Sequence, residues 1–164
     1  MQNMCNGMGS LQVKSEQEAL FLACEMERRA VRMYERGLML CQDPAMMALL
    51  QKFRDDEKTH LNRFSQMGSA APESRDQEQQ ILLKSYAAQI LFPGGLMQAQ
   101  REGALQDIRS LLHFARDSEE TAVKSYQEFS ASCESAEAKE AFIAIAAEEK
   151  THLHDIQRQL DTYK

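Results

Sequence analysis

Two copies of the pentapeptide EKTHL, at residues 57–61 and 149–153, set a glutamate three residues before a histidine. On a helix that spacing puts Glu57 and His60, or Glu149 and His152, on one face, where both can reach one ion. Carboxylate with imidazole suits iron or manganese, with zinc as another possible occupant. A lone Glu-x-x-His arises easily in a glutamate-rich helix. Here the pair recurs, and each copy is preceded at equal distance by a further glutamate, Glu27 or Glu119.

The recurrence belongs to a larger repeat. An offset of 92 residues carries EMERRAVRMY (25–34) onto DSEETAVKSY (117–126), and DDEKTHL (55–61) onto AEEKTHL (147–153). Ala30 falls on Ala122 and Tyr34 on Tyr126. The turn follows too, with Cys41 on Cys133 and Asp43 on Ser135. One gapless offset across both segments marks an internal duplication.

Helices must position these residues. The chain has 164 residues, 43% hydrophobic and 27% charged, with seven glycines and three prolines. That composition suits one globular all-α domain with long stretches free of helix breakers. Ser15-x-x-Glu18 is a capping box, predicting a first helix from Ser15 to about Leu40. Asp43-Pro44 supplies an N-cap and a first-turn proline for a second, running to about Met67. A third ends near Ala131, its start left open after Phe92-Pro93-Gly94-Gly95, and a fourth follows Ser135 almost to the end. The expected organisation is a leader at 1–14 and one domain at 15–164, with hairpins at 15–67 and 102–162. Their crossover, 68–101, holds a polar turn stretch and a helix from Gln77 to Leu91, about 22 Å long at 1.5 Å per residue. Two hairpins related by a two-fold axis require the chain to travel back along the bundle. The result is an up-down-down-up four-helix bundle with one long, partly helical crossover.

Helical periodicity then puts acid in the core. The stripes are Leu20, Ala23, Glu27, Ala30, Val31, Tyr34 and Leu38; Met46, Leu49, Leu50, Phe53, Glu57, His60, Leu61 and Phe64; Leu112, Ala115, Glu119, Ala122, Val123, Tyr126 and Phe129; and Phe142, Ile145, Glu149, His152, Leu153, Ile156 and Leu160. A buried carboxylate without a partner costs several kcal/mol or takes up a proton. No arginine lies in the stripes. Two divalent cations would neutralise four glutamates, with two imidazoles completing the set. Tyr34 and Tyr126 are candidates to hydrogen-bond a ligand glutamate. Asp56 and Glu148 point off the core toward solvent, able to orient a histidine only with help from another helix. His113 and His154 read as surface residues, and the methionines as packing. Cys41 and Cys133 fall at opposite ends of the bundle, too far apart to bridge.

Other classes lack support. Net charge is −6 with no dense basic stripe, which argues against nucleic acid. Apolar runs are too short for a membrane span, and the N-terminus does not read as a signal peptide. The four cysteines form no C-x-x-C pair, and with no export signal reduced thiols in a cytoplasmic protein are expected.

Glu27-x-x-Ala30-x-x-x-Tyr34, Glu57-x-x-His60, Glu119-x-x-Ala122-x-x-x-Tyr126 and Glu149-x-x-His152 together resemble the rubrerythrin branch of the ferritin-like superfamily. The resemblance covers nearly all of the chain after the leader. It implies a ferritin-like fold and a non-haem centre of two iron ions held by Glu27, Glu57, His60, Glu119, Glu149 and His152. Glu57 and Glu149 would bridge the ions. The activity implied is oxidoreduction of hydrogen peroxide or dioxygen, as peroxidase or ferroxidase, with electrons from a separate redox protein and a homodimer as the assembly. There are two departures. No rubredoxin-type C-x-x-C motifs follow the bundle, and the residues three away from Glu119 are Arg116 and Ala122 rather than an extra glutamate. The six-ligand set is the symmetric kind, closer to bacterioferritin.

Overall fold

The computed structural model describes residues 13–69, 77–91 and 96–162. Most of the leader, with Cys5, the turn at 70–76 and the Pro93-Gly94-Gly95 stop lie outside the described residues. Six helices occur among the described residues: α1 (Glu16–Leu40), α2 (Pro44–Ser69), α3 (Gln77–Leu91), α4 (Leu96–Arg101), α5 (Ile108–Ala131) and α6 (Ala136–Thr162). None is long and apolar enough to cross a membrane.

The four long helices begin where polar side chains satisfy their free N–H groups. Ser15 Oγ accepts from Glu18 N at 3.2 Å, and Asp43 Oδ2 accepts from Met46 N at 2.8 Å. Ser135 Oγ accepts from Ala138 N at 3.2 Å. The start of α5, which sequence left open, is set by Asp107, whose Oδ1 accepts from Ser110 N at 2.8 Å. The second hairpin therefore begins at Ile108 rather than at 102. Residues 102–107 are turns in which Gly103 takes a φ of 76°, a left-handed conformation that favours glycine. The short α4 carries no signal in the pattern, being barely more than one turn.

The two hairpins, α1–α2 and α5–α6, pack face to face with α3 laid along α1. Two apolar clusters fill the interior. One gathers Leu20, Leu22, Ala23, Phe64, Tyr126, Phe129, Phe142 and Ile145. The other gathers Tyr34, Leu50, Phe53, Leu111, Leu112 and Ile156. The first half of α1 thus meets the second half of α5, and the reverse, so these helices run antiparallel. The same holds for α2 and α6, where Asp56 meets His152 and His60 meets Glu148. The topology is up-down-down-up, with α3 on the return path and its Leu83 and Ala87 completing the first cluster.

Phe142 is the hub of that cluster, with ring centroids 4.8 Å from Phe64, 5.8 Å from Tyr126 and 5.8 Å from Phe129. Phe142→Ala is expected to destabilise the fold by about 3–5 kcal/mol, and Asp107→Ala by about 1 kcal/mol. Denaturant midpoints at unchanged slope check both.

Candidate metal centre

Between the apolar clusters the bundle interior is acidic. Glu27 on α1, Glu57 and His60 on α2, Glu119 on α5, and Glu149 and His152 on α6 are each no more than 3% exposed. They converge on one locus. His60 Nδ1 lies 3.0 Å from Glu57 Oε2, 3.1 Å from Glu149 Oε1 and 3.8 Å from Glu27 Oε2. His152 Nδ1 lies 3.0 Å from Glu149 Oε2, 3.2 Å from Glu57 Oε1 and 3.9 Å from Glu119 Oε1. Two groups of four follow, Glu27–Glu57–His60–Glu149 and Glu57–Glu119–Glu149–His152, each with ligand atoms within 4.8 Å of one another. Glu57 and Glu149 belong to both.

Around this locus the hairpins support each other crosswise. Tyr126 Oη donates to Glu27 Oε1 at 2.5 Å, and Tyr34 Oη donates to Glu119 Oε1. Each tyrosine serves the glutamate of the opposite hairpin, although its own helix carries one two turns away. The outer ring nitrogens are held the same way. His60 Nε2 pairs with Glu148 Oε2 and His152 Nε2 with Asp56 Oδ2, both at 3.0 Å. The help from another helix that Asp56 and Glu148 need to orient a histidine is present, each reaching the ring of the opposite hairpin. At 35% and 57% exposure their side chains remain wet, but their carboxylates fix the rings. His113 and His154 are exposed and take no part. Cys41 and Cys133 are free thiols associated with different apolar clusters.

The electrostatics follow from crowding acid away from water. Burial, then the charges of Glu57 and Glu149, hold the Glu27 carboxyl well above its ordinary value of 4.5. Burial with the same two neighbours does so for Glu119. Burial opposes charge on His60, but the Glu149 and Glu57 carboxylates beside it push the imidazole up to about 12. Burial is likewise outweighed at His152 by Glu149 and Glu57, which push it up to about 11. At Glu149 burial loses to the two imidazoles, which bring the carboxyl down to about 2. Burial and the charge of Glu119 keep Tyr34 protonated, and burial with Glu27 does the same for Tyr126, so both remain donors. The metal-free centre is held together by protons.

Those protons leave the cluster imperfectly satisfied. Glu27 Oε2, Glu57 Oε1, Glu149 Oε2 and His152 Nδ1 are buried with no hydrogen-bond partner. His152 Nδ1 and Glu149 Oε2 approach to 3.0 Å without hydrogen-bond geometry. Orphaned donor atoms of this kind, four carboxylates with two imidazoles, are the set a pair of divalent cations would satisfy. The residues fit. Beside them, between α1 and α5, lies a cavity of about 20 Å³ bounded by Met26, Met33, Ser118 and the four glutamates, space for one water-sized molecule.

Fold and site together define an antiparallel helical bundle with a buried carboxylate–imidazole cluster able to hold metal ions. The Ferritin-like domain family matches residues 12–161, nearly the whole chain, and the chain belongs to that family. Neither curated proteins nor solved structures give a significant match.

The proton inventory dictates a pH response. Above 4.5 the unfolded glutamates release protons that folded Glu27 and Glu119 keep. Above 6.5 the same is true of the histidines, until about 12 and 11. A fold that binds more protons than its unfolded chain loses stability as pH rises. Glu149, titrating near 2, adds stability that is lost only as pH falls below 4.5. The metal-free protein is therefore expected to melt several degrees lower near pH 9 than near pH 6, at about 2–4 °C per kcal/mol. With metal bound the folded state no longer holds these protons, and stability should instead rise from about pH 5 to pH 7. Melting curves with and without chelator check the opposite slopes; a metal-free midpoint that climbs toward pH 9 contradicts this account.

Proposed function

We propose that Glu27, Glu57, His60, Glu119, Glu149 and His152 hold two metal ions, iron in the cell, and that the protein is a rubrerythrin-like oxidoreductase. Its substrate is hydrogen peroxide or dioxygen, and its electrons come from a separate redox protein. The observation that carries the reading is the sharing of Glu57 and Glu149 between both four-residue groups, the arrangement two bridging carboxylates require. A bound iron pair supplies redox equivalents and Lewis acidity at one point. The protein supplies the rest. Glu148 and Asp56 accept from the Nε2–H of His60 and His152, which leaves both Nδ1 atoms free to ligate. Tyr34 and Tyr126 hold Glu119 and Glu27 by one oxygen each. The cavity beside the glutamates, room for one water-sized molecule, favours a small oxidant over a larger organic substrate. A homodimer in the cytoplasm completes the reading.

A second reading, iron oxidation or handling in place of peroxide turnover, draws on the symmetric ligand set. Three residues before Glu119 stands Arg116, engaged with Asp117 at 2.8 Å, where a further carboxylate would be needed for a ligand switch.

Aerobic iron loading with metal analysis and optical spectra tests both readings. Two irons per chain with an oxo-bridged near-ultraviolet band are expected. Glu57→Ala and Glu149→Ala should each abolish binding of both ions, whereas Glu27→Ala and Glu119→Ala should each cost mainly one. Asp56→Ala should weaken binding about 10–100-fold. Absence of bound metal overturns the proposal. Peroxide consumption with an added electron donor separates the two: repeated turnover supports the oxidoreductase, and a single stoichiometric reaction supports iron handling.

A further inference from the structure

Arg29, Arg32 and Arg36 follow one another on α1 at spacings of three and four, which aligns them on one helical face. Against that face come Gln100 from α4 and Gln106 from the turn after it. Together they line an open pocket of about 430 Å³ whose apolar wall includes Met33 and Phe114. That volume lies in the range of small-molecule sites. No carboxylate lines it among the described residues. In a chain of net charge −6, three arginines line this one cavity.

We propose that this pocket binds a small polyanion, a molecule carrying two or more carboxylate or phosphate groups. Each guanidinium carries five N–H donors in a fork matched to such groups. Few are committed. Arg36 Nε donates to the Leu105 carbonyl at 3.4 Å, and one Nη of Arg29 donates to the Lys84 carbonyl at 3.3 Å and lies 4.0 Å from Glu25 Oε2. The two amides add neutral donors at the rim. If these arginines served only to pin the crossover to α1, the two carbonyl contacts would account for Arg29 and Arg36. They would not account for Arg32, exposed on the same face, or for the pocket beside it that no described carboxylate lines.

The duplication supplies an internal comparison. The offset that superposes the metal centre carries the three arginines onto Thr121, Lys124 and Glu128. Lys124 is engaged with Glu120 at 2.9 Å. The basic face is therefore particular to one hairpin and is not required by the bundle. Arg29, Met33 and Phe114 also line the small cavity beside the glutamates, so a bound anion would lie one wall away from the centre. The proposal stands independently of what that centre holds.

Calorimetric titration of the full chain with citrate and with pyrophosphate tests it, with sulfate as the single-group comparator. One saturable site per chain is expected; tighter citrate marks a carboxylate ligand and tighter pyrophosphate a phosphate one. Arg32→Gln and Arg36→Gln should each weaken binding about tenfold or more. Arg32 is exposed, so its replacement leaves the fold intact, which a melting curve verifies. Arg158→Gln, at an exposed position on α6, should change nothing. Absence of saturable binding by both probes, sulfate binding as tightly as either, or equal loss in Arg158→Gln overturns the proposal.

Discussion

Four glutamates share the interior of one helical bundle, and desolvation sets the terms on which the rest of the molecule is built. The apolar core cannot run unbroken along the axis. It divides into a cluster at each end, and these shut water away from the acid between them. That exclusion raises the penalty on every unpaired oxygen, so each glutamate needs a compensating group. Protonated imidazoles, carboxyl protons and tyrosine hydroxyls provide it in the metal-free chain. Two cations would replace the protons and reach the donor atoms that protons leave orphaned.

Neither hairpin can meet this constraint alone. Every supporting contact crosses between them: Tyr34 to Glu119, Tyr126 to Glu27, Glu148 to His60, Asp56 to His152. A single hairpin would carry the acids without these partners. This couples the centre to the topology, because the crossed pairs exist only if α1 opposes α5 and α2 opposes α6. The long crossover is what permits both oppositions in one chain. Packing around the centre shows how the copies diverged while keeping it. Phe129 corresponds to Gly37, and Leu111 to Ala19. A Cβ on Gly37 would stand 3.1 Å from Leu111, so the large side chain in one cluster occupies space that the small residue opposite vacates. The exchange lets two unequal clusters flank a nearly symmetric site.

Which side chains turn inward was legible in the sequence, because a 3.6-residue stripe names a face without reference to anything else. The six convergent residues and the two-fold arrangement follow from periodicity and the repeat, and three of the four long helices announce their caps; the Asp107 cap of α5 stood in a segment without a period. What lies across from a residue does not. Helix-to-helix register decides that Tyr34 meets Glu119 and that Asp56, one residue off the core face, still reaches His152. Equivalent polar residues beside the ligand motif in both copies, Asp56 and Glu148, were the available signal. The arginine pocket was harder, since its far wall is α4 and the turn after it, a segment too short and irregular to show a period. Read in the sequence, the three arginines do not amount to a dense basic stripe; only the cavity gathers them into one place.

The space around the centre bears on what it is for. A metal serving only to clamp helices is best held by a closed shell, with every approach filled by side chains. Here the flanks of the site are unequal. On the α2–α6 side, imidazoles braced by Glu148 and Asp56 shut the cluster in. On the α1–α5 side, the four glutamates border a cavity, walled by methionines whose unbranched side chains can shift to open it. Beyond that wall lies the basic pocket, sharing Arg29, Met33 and Phe114 with it. Closure by packing would have been simple for a bundle that already fills both of its ends. One small space stays open, on the side where no imidazole intrudes, and it is this space that the proposed reading would have a small reactant use.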